Sequence, residues 1–222
     1  WVRLVSFPVV SLDGRLIHRE CPLRLMFEEG GEWQPAGRFL PVAERLKLTP
    51  QLDLAAVALG LDELEAKPEL GGLAINLSAS SIQLPQFRSE LHSLLKRSQG
   101  TSRLWLEVSE AGALAHFAAF RVLCLELINV GCQIGIEHFG RQFSEIGRLH
   151  DLGLDYIKVD ASFIRGLEMN TGNQSFLKGL SSIAKGIGLK VIAEGVTSEA
   201  EFAALIEVGF DGATGPGIKE PA

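Results

Sequence analysis

Leu104-Trp105-Leu106-Glu107 is a short apolar run that stops at a carboxylate, and the same design recurs along the chain. Leu73-Ala74-Ile75 gives way to Asn76, and Val191-Ile192-Ala193 gives way to Glu194. Brief apolar runs separated by stretches of helical period are the pattern of βαβ units around a parallel sheet. Strands are expected at residues 3–10, 73–77, 104–108, 133–136, 156–159 and 190–193, with a weaker one near Gly212. Between them, residues 115–130 place Phe117, Phe120, Cys124, Leu127 and Ile128 at helical spacing, and Gly131 is positioned to end that helix. Ser198 and Glu201 form a capping-box pattern ahead of Phe202, Leu205 and Ile206. Asp13-Gly14 sits between two apolar stretches, so the chain opens with a hairpin-like turn and one strand runs against the rest. So many β/α alternations in this length point to a closed α/β barrel, with a doubly wound open sheet as the alternative.

A chain of 222 residues that is 46% hydrophobic can bury one sizeable core, and one domain over residues 1–222 is expected. No apolar run approaches the roughly 18 residues of a membrane span, and no export signal is visible. The opening Trp1-Val2-Arg3 already reads as strand, as expected of a fragment of a longer protein. A net charge of -6 argues against polymeric nucleic acid, whose phosphates need a basic stripe, but leaves room for a small anionic ligand. Cys21, Cys124 and Cys132 are odd in number and lack metal-type spacing, which suits a reducing, cytoplasmic compartment.

In a barrel of this kind the chemistry sits where the strands end, so Asn76, Glu107 and Glu194 gain weight by recurring there. Lys158 and Asp160 are two apart in Ile157-Lys158-Val159-Asp160, and an extended backbone points both to one face. With Glu20, Arg24, Glu137 and His138 they are expected to line one cleft of mixed charge. Taken singly, each has a plainer reading as a helix cap or half of an internal ion pair.

The chain resembles the EAL domain of bacterial cyclic di-GMP phosphodiesterases, from Phe7-Pro8 to Glu220-Pro221. The resemblance lies in Phe39-Leu40-Pro41-Val42-Ala43-Glu44, Asn76-Leu77-Ser78, Leu106-Glu107-Val108-Ser109-Glu110, Ile157-Lys158-Val159-Asp160-Ala161-Ser162-Phe163 and Val191-Ile192-Ala193-Glu194-Gly195-Val196. It implies a modified triosephosphate-isomerase-type (β/α)8 barrel with its first strand antiparallel, and hydrolysis assisted by two divalent ions. Residue by residue, it places Glu20, Asn76, Glu107 and Asp160 on metal-ligand positions and Glu194 on a carboxylate of the metal site. Lys158 matches the lysine near the attacking water, and Arg24 the arginine that contacts a phosphate.

The chain also departs from the family pattern. Cys21-Pro22 replaces the Ala-Leu pair, and Pro22 is expected to alter how Glu20 points. Glu137-His138-Phe139-Gly140 stands for Asp-Asp-Phe-Gly, and imidazole is a poor Mg²⁺ ligand. Arg141-Gln142-Phe143-Ser144 lacks the family's loop glycine, Thr197 and Thr214 replace a glutamate and a glutamine, and Phe7 replaces a glutamine. The expectation is therefore a degenerate domain that binds cyclic di-GMP without turnover, catalytic residues and metal both absent. Its expected nucleotide site comprises Glu20, Leu23, Arg24, Leu40, Pro41, Asn76, Glu107, Glu137, His138, Phe139, Lys158, Asp160, Glu194, Gly215 and Pro216.

Among degenerate EAL domains the chain is similar to inner-membrane cyclic di-GMP receptors of the LapD type. That implies GGDEF-type and HAMP-type neighbours, an EAL-EAL homodimer, and control of biofilm adhesion through relief of autoinhibition. Two alternatives stay open: a phosphodiesterase in which Glu137 and His138 hold Mn²⁺ or a similar ion, and a protein-interaction module that binds no nucleotide.

Overall fold

A computed structural model describes residues 1–220. Pro221, where the family resemblance ends, lies outside the described residues. The strands are β1 (Val2–Leu4), β2 (Phe7–Ser11), β3 (Leu16–Glu20), β4 (Leu23–Leu25), β5 (Gln34–Pro35), β6 (Leu73–Asn76), β7 (Leu104–Ser109), β8 (Gln133–Phe139), β9 (Tyr156–Val159), β10 (Lys190–Ala193) and β11 (Gly212–Ala213). Eight of them close a barrel in the order β10-β11-β2-β3-β6-β7-β8-β9. Strand β2 runs antiparallel to both its neighbours while the other pairings are parallel, which is the expected modified (β/α)8 barrel. The open sheet is excluded.

The expected strand at residues 3–10 is two strands. β2 stays in the barrel, whereas β1 leaves it and pairs with β4 in a separate sheet ordered β1-β4-β5. The break falls where Val5 and Ser6 face Cys21 and Pro22. Pro22 has no amide hydrogen to continue the ladder, and its carbonyl takes a single bond from the Val5 amide at 3.2 Å. A proline in the third family-defining position thus sits at the joint between barrel and side sheet.

The helical stretch expected at 115–130 is Phe117–Val130, preceded by Glu110–Ala115. Gly131 ends it at φ 81°, a left-handed conformation that glycine adopts at little cost. Half of the expected capping box forms: Ser198 Oγ accepts from the Glu201 amide at 3.1 Å. The Glu201 carboxylate accepts from the amides of Thr197 and Gly166. Most buried apolar side chains lie between barrel and helices, whereas Val9, Tyr156 and Ile192 form a second cluster with Trp105 packed against it. Among the described residues no helix is long and apolar enough to cross a membrane.

The helix Thr49–Ala66 positions the segment after β6 through Asp53, whose carboxylate accepts from the Ser78 amide at 2.8 Å and hydroxyl at 3.2 Å. Burial pushes the Asp53 carboxyl up to about 6 against the pull of these bonds, from an ordinary 3.8. The folded chain therefore holds a proton that the unfolded chain has lost across that interval, and this group's contribution to stability falls as pH rises through it. Asp53→Asn is expected to flatten the fall in melting temperature between pH 4 and 6 relative to the parent, measured calorimetrically; an unchanged slope counts against this assignment.

Candidate functional site

Every strand that points its carboxyl end at the mouth brings a polar side chain. Lys158 of β9 is fully buried, and its Nζ lies 2.5 Å from Glu20 Oε1 on β3 and 2.5 Å from Glu107 Oε1 on β7. Burial opposes the charge on Lys158, but the two carboxylates outweigh it and hold the ammonium above its ordinary value. Tyr156, two residues earlier on the same strand face, donates to Glu107 Oε1 at 2.5 Å. Glu107 Oε2 is buried and has no partner among the described residues.

Above this floor, β8 changes the rule that alternate residues share a face. Its register against β9 shifts between Ile136 and Phe139, and His138 adopts φ 54°. Such a bulge lets successive residues aim the same way, so Glu137 and His138 both line one cavity. A left-handed conformation at a residue other than glycine stores strain that the surroundings must hold. Here Glu194 holds it, accepting from the His138 amide at 3.1 Å and lying 2.8 Å from Nδ1.

The Glu194 contact, opposed by burial, pushes the His138 imidazole up to about 9. Burial, with the charges of Glu107 and Glu194, pushes Glu137 up to about 8, and Asn76 Nδ2 donates to its Oε2 at 2.8 Å. Asp160 is held below the ordinary carboxylate range despite its burial, because the amide and hydroxyl of Ser162 both donate to it.

The cavity at the mouth, about 300 Å³, is lined by Glu20, Pro22, Asn76, Glu137, His138, Ala161, Glu194, Gly195, Thr214 and Gly215. A second cavity of about 220 Å³ adjoins it through Pro22, Asn76 and Glu137 and is walled by Leu23, Phe39, Leu40 and Leu52. Of the expected site residues, Glu20, Leu23, Leu40, Asn76, Glu137, His138, Glu194 and Gly215 line one or other cavity. Glu107 and Lys158 lie buried at the base, and Asp160 Oδ2 is 3.8 Å from His138 Nδ1. Arg24, Pro41, Phe139 and Pro216 line neither cavity; Phe139 packs in the core, and among the described residues the Arg24 side chain on β4 donates to the Leu23 carbonyl alone, at 3.4 Å. Phe7 is paired across from Glu20 and is 47% exposed, and Thr214 turns its hydroxyl to the Pro8 carbonyl.

The donor atoms of His138, Asp160 and Glu194 lie within 4.8 Å of one another. An imidazole with two carboxylates suits Mn²⁺ or another transition ion better than Mg²⁺, and Glu107 Oε2 is a buried oxygen without a partner among the described residues. The residues present therefore fit a divalent transition ion.

A model of the EAL domain family matches residues 3–221. The chain belongs to that family. The cyclic di-GMP phosphodiesterase PdeF of Escherichia coli is 31% identical over 98% of this chain and 30% of its own length. The chain thus spans under a third of that relative. The solved PaMucR phosphodiesterase in complex with c-di-GMP superposes with a TM-score of 0.87 at 26% identity, covering 99% of this chain and 91% of that one. Vibrio cholerae LapD, an S helix-GGDEF-EAL chain bound to c-di-GMP, shares the fold with a TM-score of 0.88 at 24% identity, over 97% of this chain and 52% of that one.

These relatives correct the expectation that this EAL domain is no enzyme. PdeF and PaMucR are both named as phosphodiesterases. In the fold, Pro22 leaves Glu20 on Lys158, and His138 lies among the carboxylates of Asp160 and Glu194.

Sequence reasoning missed Tyr156, Asp53 and Glu110. Tyr156 was open to discovery, since it precedes Lys158 by the two residues that place both on one strand face. The Glu110 carboxylate accepts from the amides of Gly140, Arg141 and Gln142, which pins the loop after β8 although that loop lacks the family's glycine. Glu110→Ala is expected to cost about 2 kcal/mol, roughly 4–8 °C in melting temperature. Amide exchange at residues 140–142 should quicken more than elsewhere, and unaltered protection there would refute the pinning.

Proposed function

We propose that this EAL domain binds cyclic di-GMP and hydrolyses it slowly with a transition ion such as Mn²⁺. The single observation that supports this most is the convergence of His138, Asp160 and Glu194 at the barrel mouth, beside the buried Lys158-Glu107 pair and its partner Glu20. PdeF and PaMucR, both named phosphodiesterases, support the substrate and the reaction class.

His138, Asp160 and Glu194 would hold the ion, with Glu107 Oε2 and Asn76 as further oxygen donors. When bound, such an ion supplies positive charge to a phosphodiester and makes a bound water more acidic. The chain's own groups do the rest. Lys158 stays protonated and fixes Glu20 and Glu107 against each other. The apolar wall of Leu23, Phe39, Leu40 and Leu52 excludes water from one side of the mouth and offers a surface for a base. Arg24, on the central strand of the side sheet, takes a phosphate through its guanidinium.

The LapD likeness supports a parent of several domains, with a GGDEF-type neighbour. A HAMP-type relay, EAL-EAL pairing, an inner-membrane location and control of biofilm adhesion extend the same reading.

The test is incubation of cyclic di-GMP with the domain in Mn²⁺, Mg²⁺ or EDTA, followed by chromatography for the linear dinucleotide. Product is expected in Mn²⁺, less in Mg²⁺ and none in EDTA, and His138→Ala should remove the preference for Mn²⁺. Binding without product under every ion would sink the enzymatic reading. Separately, Arg24→Ala should weaken cyclic di-GMP binding in EDTA by roughly 10- to 100-fold, the worth of a hydrogen bond to a charged group, without changing the melting temperature. Unaltered affinity by calorimetry would put the phosphate elsewhere.

A further inference from the structure

The barrel's interior holds a layer of rings directly beneath the site. Tyr156 is completely buried, with Trp105 at 5.0 Å and His18 at 5.7 Å between ring centroids, and with Val9 and Ile192 in the same cluster. Its cross-strand neighbour is Gly135, and a Cβ there would come within 2.3–2.6 Å of three ring carbons. Gly135 thus yields the space that the tyrosine ring fills, and five strands fix where its hydroxyl ends up. That hydroxyl donates to Glu107 Oε1, the oxygen that also receives Lys158 Nζ. Glu107 Oε2 is left buried with no partner among the described residues.

We infer that Tyr156 is a positioning residue: by occupying one oxygen of Glu107 it leaves the other unpaired as an oxygen donor to a divalent cation at the site. This rests on the metal-dependent reading above. Lys158 is shared between Glu107 and Glu20, and the tyrosine hydroxyl adds a second bond to the same Glu107 oxygen, so the carboxylate keeps a single orientation. His18 does not compete for the carboxylate. Its Nε2 lies 3.9 Å from Glu107 Oε1, and burial, with Lys158 nearby, holds its imidazole well below the ordinary value and so uncharged. A buried tyrosine hydroxyl also needs a partner merely to satisfy itself. That role would appear in stability and not in cation affinity.

The test is Tyr156→Phe in the intact domain, which keeps the ring over Gly135 and removes only the donor. Mn²⁺ titration by calorimetry should show affinity weakened roughly 10- to 100-fold, the usual effect of losing a partner that orients a ligand. Cyclic di-GMP affinity in EDTA should be unchanged, and where turnover is measured kcat should fall with KM nearly constant. Because the effect passes through Glu107, adding Tyr156→Phe to Glu107→Gln should weaken Mn²⁺ binding no further than Glu107→Gln alone. Unchanged Mn²⁺ affinity in Tyr156→Phe, additive losses in the double variant, or a parent protein without Mn²⁺ affinity would each overturn the inference. Weaker Mn²⁺ binding in the variant with no turnover in either protein would uphold it and overturn only the proposed hydrolysis. Turnover with equal Mn²⁺ affinity would do the reverse.

Discussion

A fully buried ammonium needs partners, and Lys158 has two. Removing such a charge from water costs several kcal/mol unless carboxylates face it at close range, and here Glu20 and Glu107 both do. The contact with Glu20 joins residues 138 apart in sequence, between strands on different sides of the barrel. It can form only when the barrel closes. The same closure delivers Asn76, Glu137, Asp160 and Glu194 to the mouth, so one ion triad links the completion of the fold to the completion of the site.

The triad holds two carboxylates against one ammonium and leaves a negative charge at the base of the mouth. Above it, Glu194 raises the His138 imidazole, burial raises Glu137, and Asp160 and Glu194 are the remaining acids; a cation bound by His138 has to displace the imidazole proton. Negative charge therefore exceeds positive among these side chains. A site with that imbalance repels a bare phosphodiester and attracts a divalent cation. Arg24 stands outside the cluster, on the side sheet, where a guanidinium can meet an anion without being neutralised by the acids.

Much of this was legible in the sequence because it follows from period. Apolar runs ending at Asn76, Glu107 and Glu194 gave the barrel and its functional end, and the spacing of Lys158 and Asp160 gave their shared face. Three features were hidden for physical reasons. The register shift on β8 depends on pairing with β9, so no local pattern announces that Glu137 and His138 point the same way. The split of the first strand depends on Pro22 lying opposite Val5, a contact across the hairpin. The room that Gly135 leaves for the Tyr156 ring is set by their pairing across strands, which no local pattern shows.

The departures at Pro22 and His138 look like damage when each is weighed against the family pattern alone. In the fold they act at different places. Pro22 lies at the joint where the hairpin passes from barrel to side sheet, and the register on the barrel side still sets Glu20 opposite Phe7, so the carboxylate stays on Lys158. His138 stands on a bulge whose backbone is already fixed by Glu194, so exchanging a carboxylate for an imidazole alters the donor chemistry and leaves the convergence intact. Geometry and donor type are separable properties of a metal site. A change in the second with the first preserved shifts which ion is preferred before it abolishes the chemistry that an ion supports.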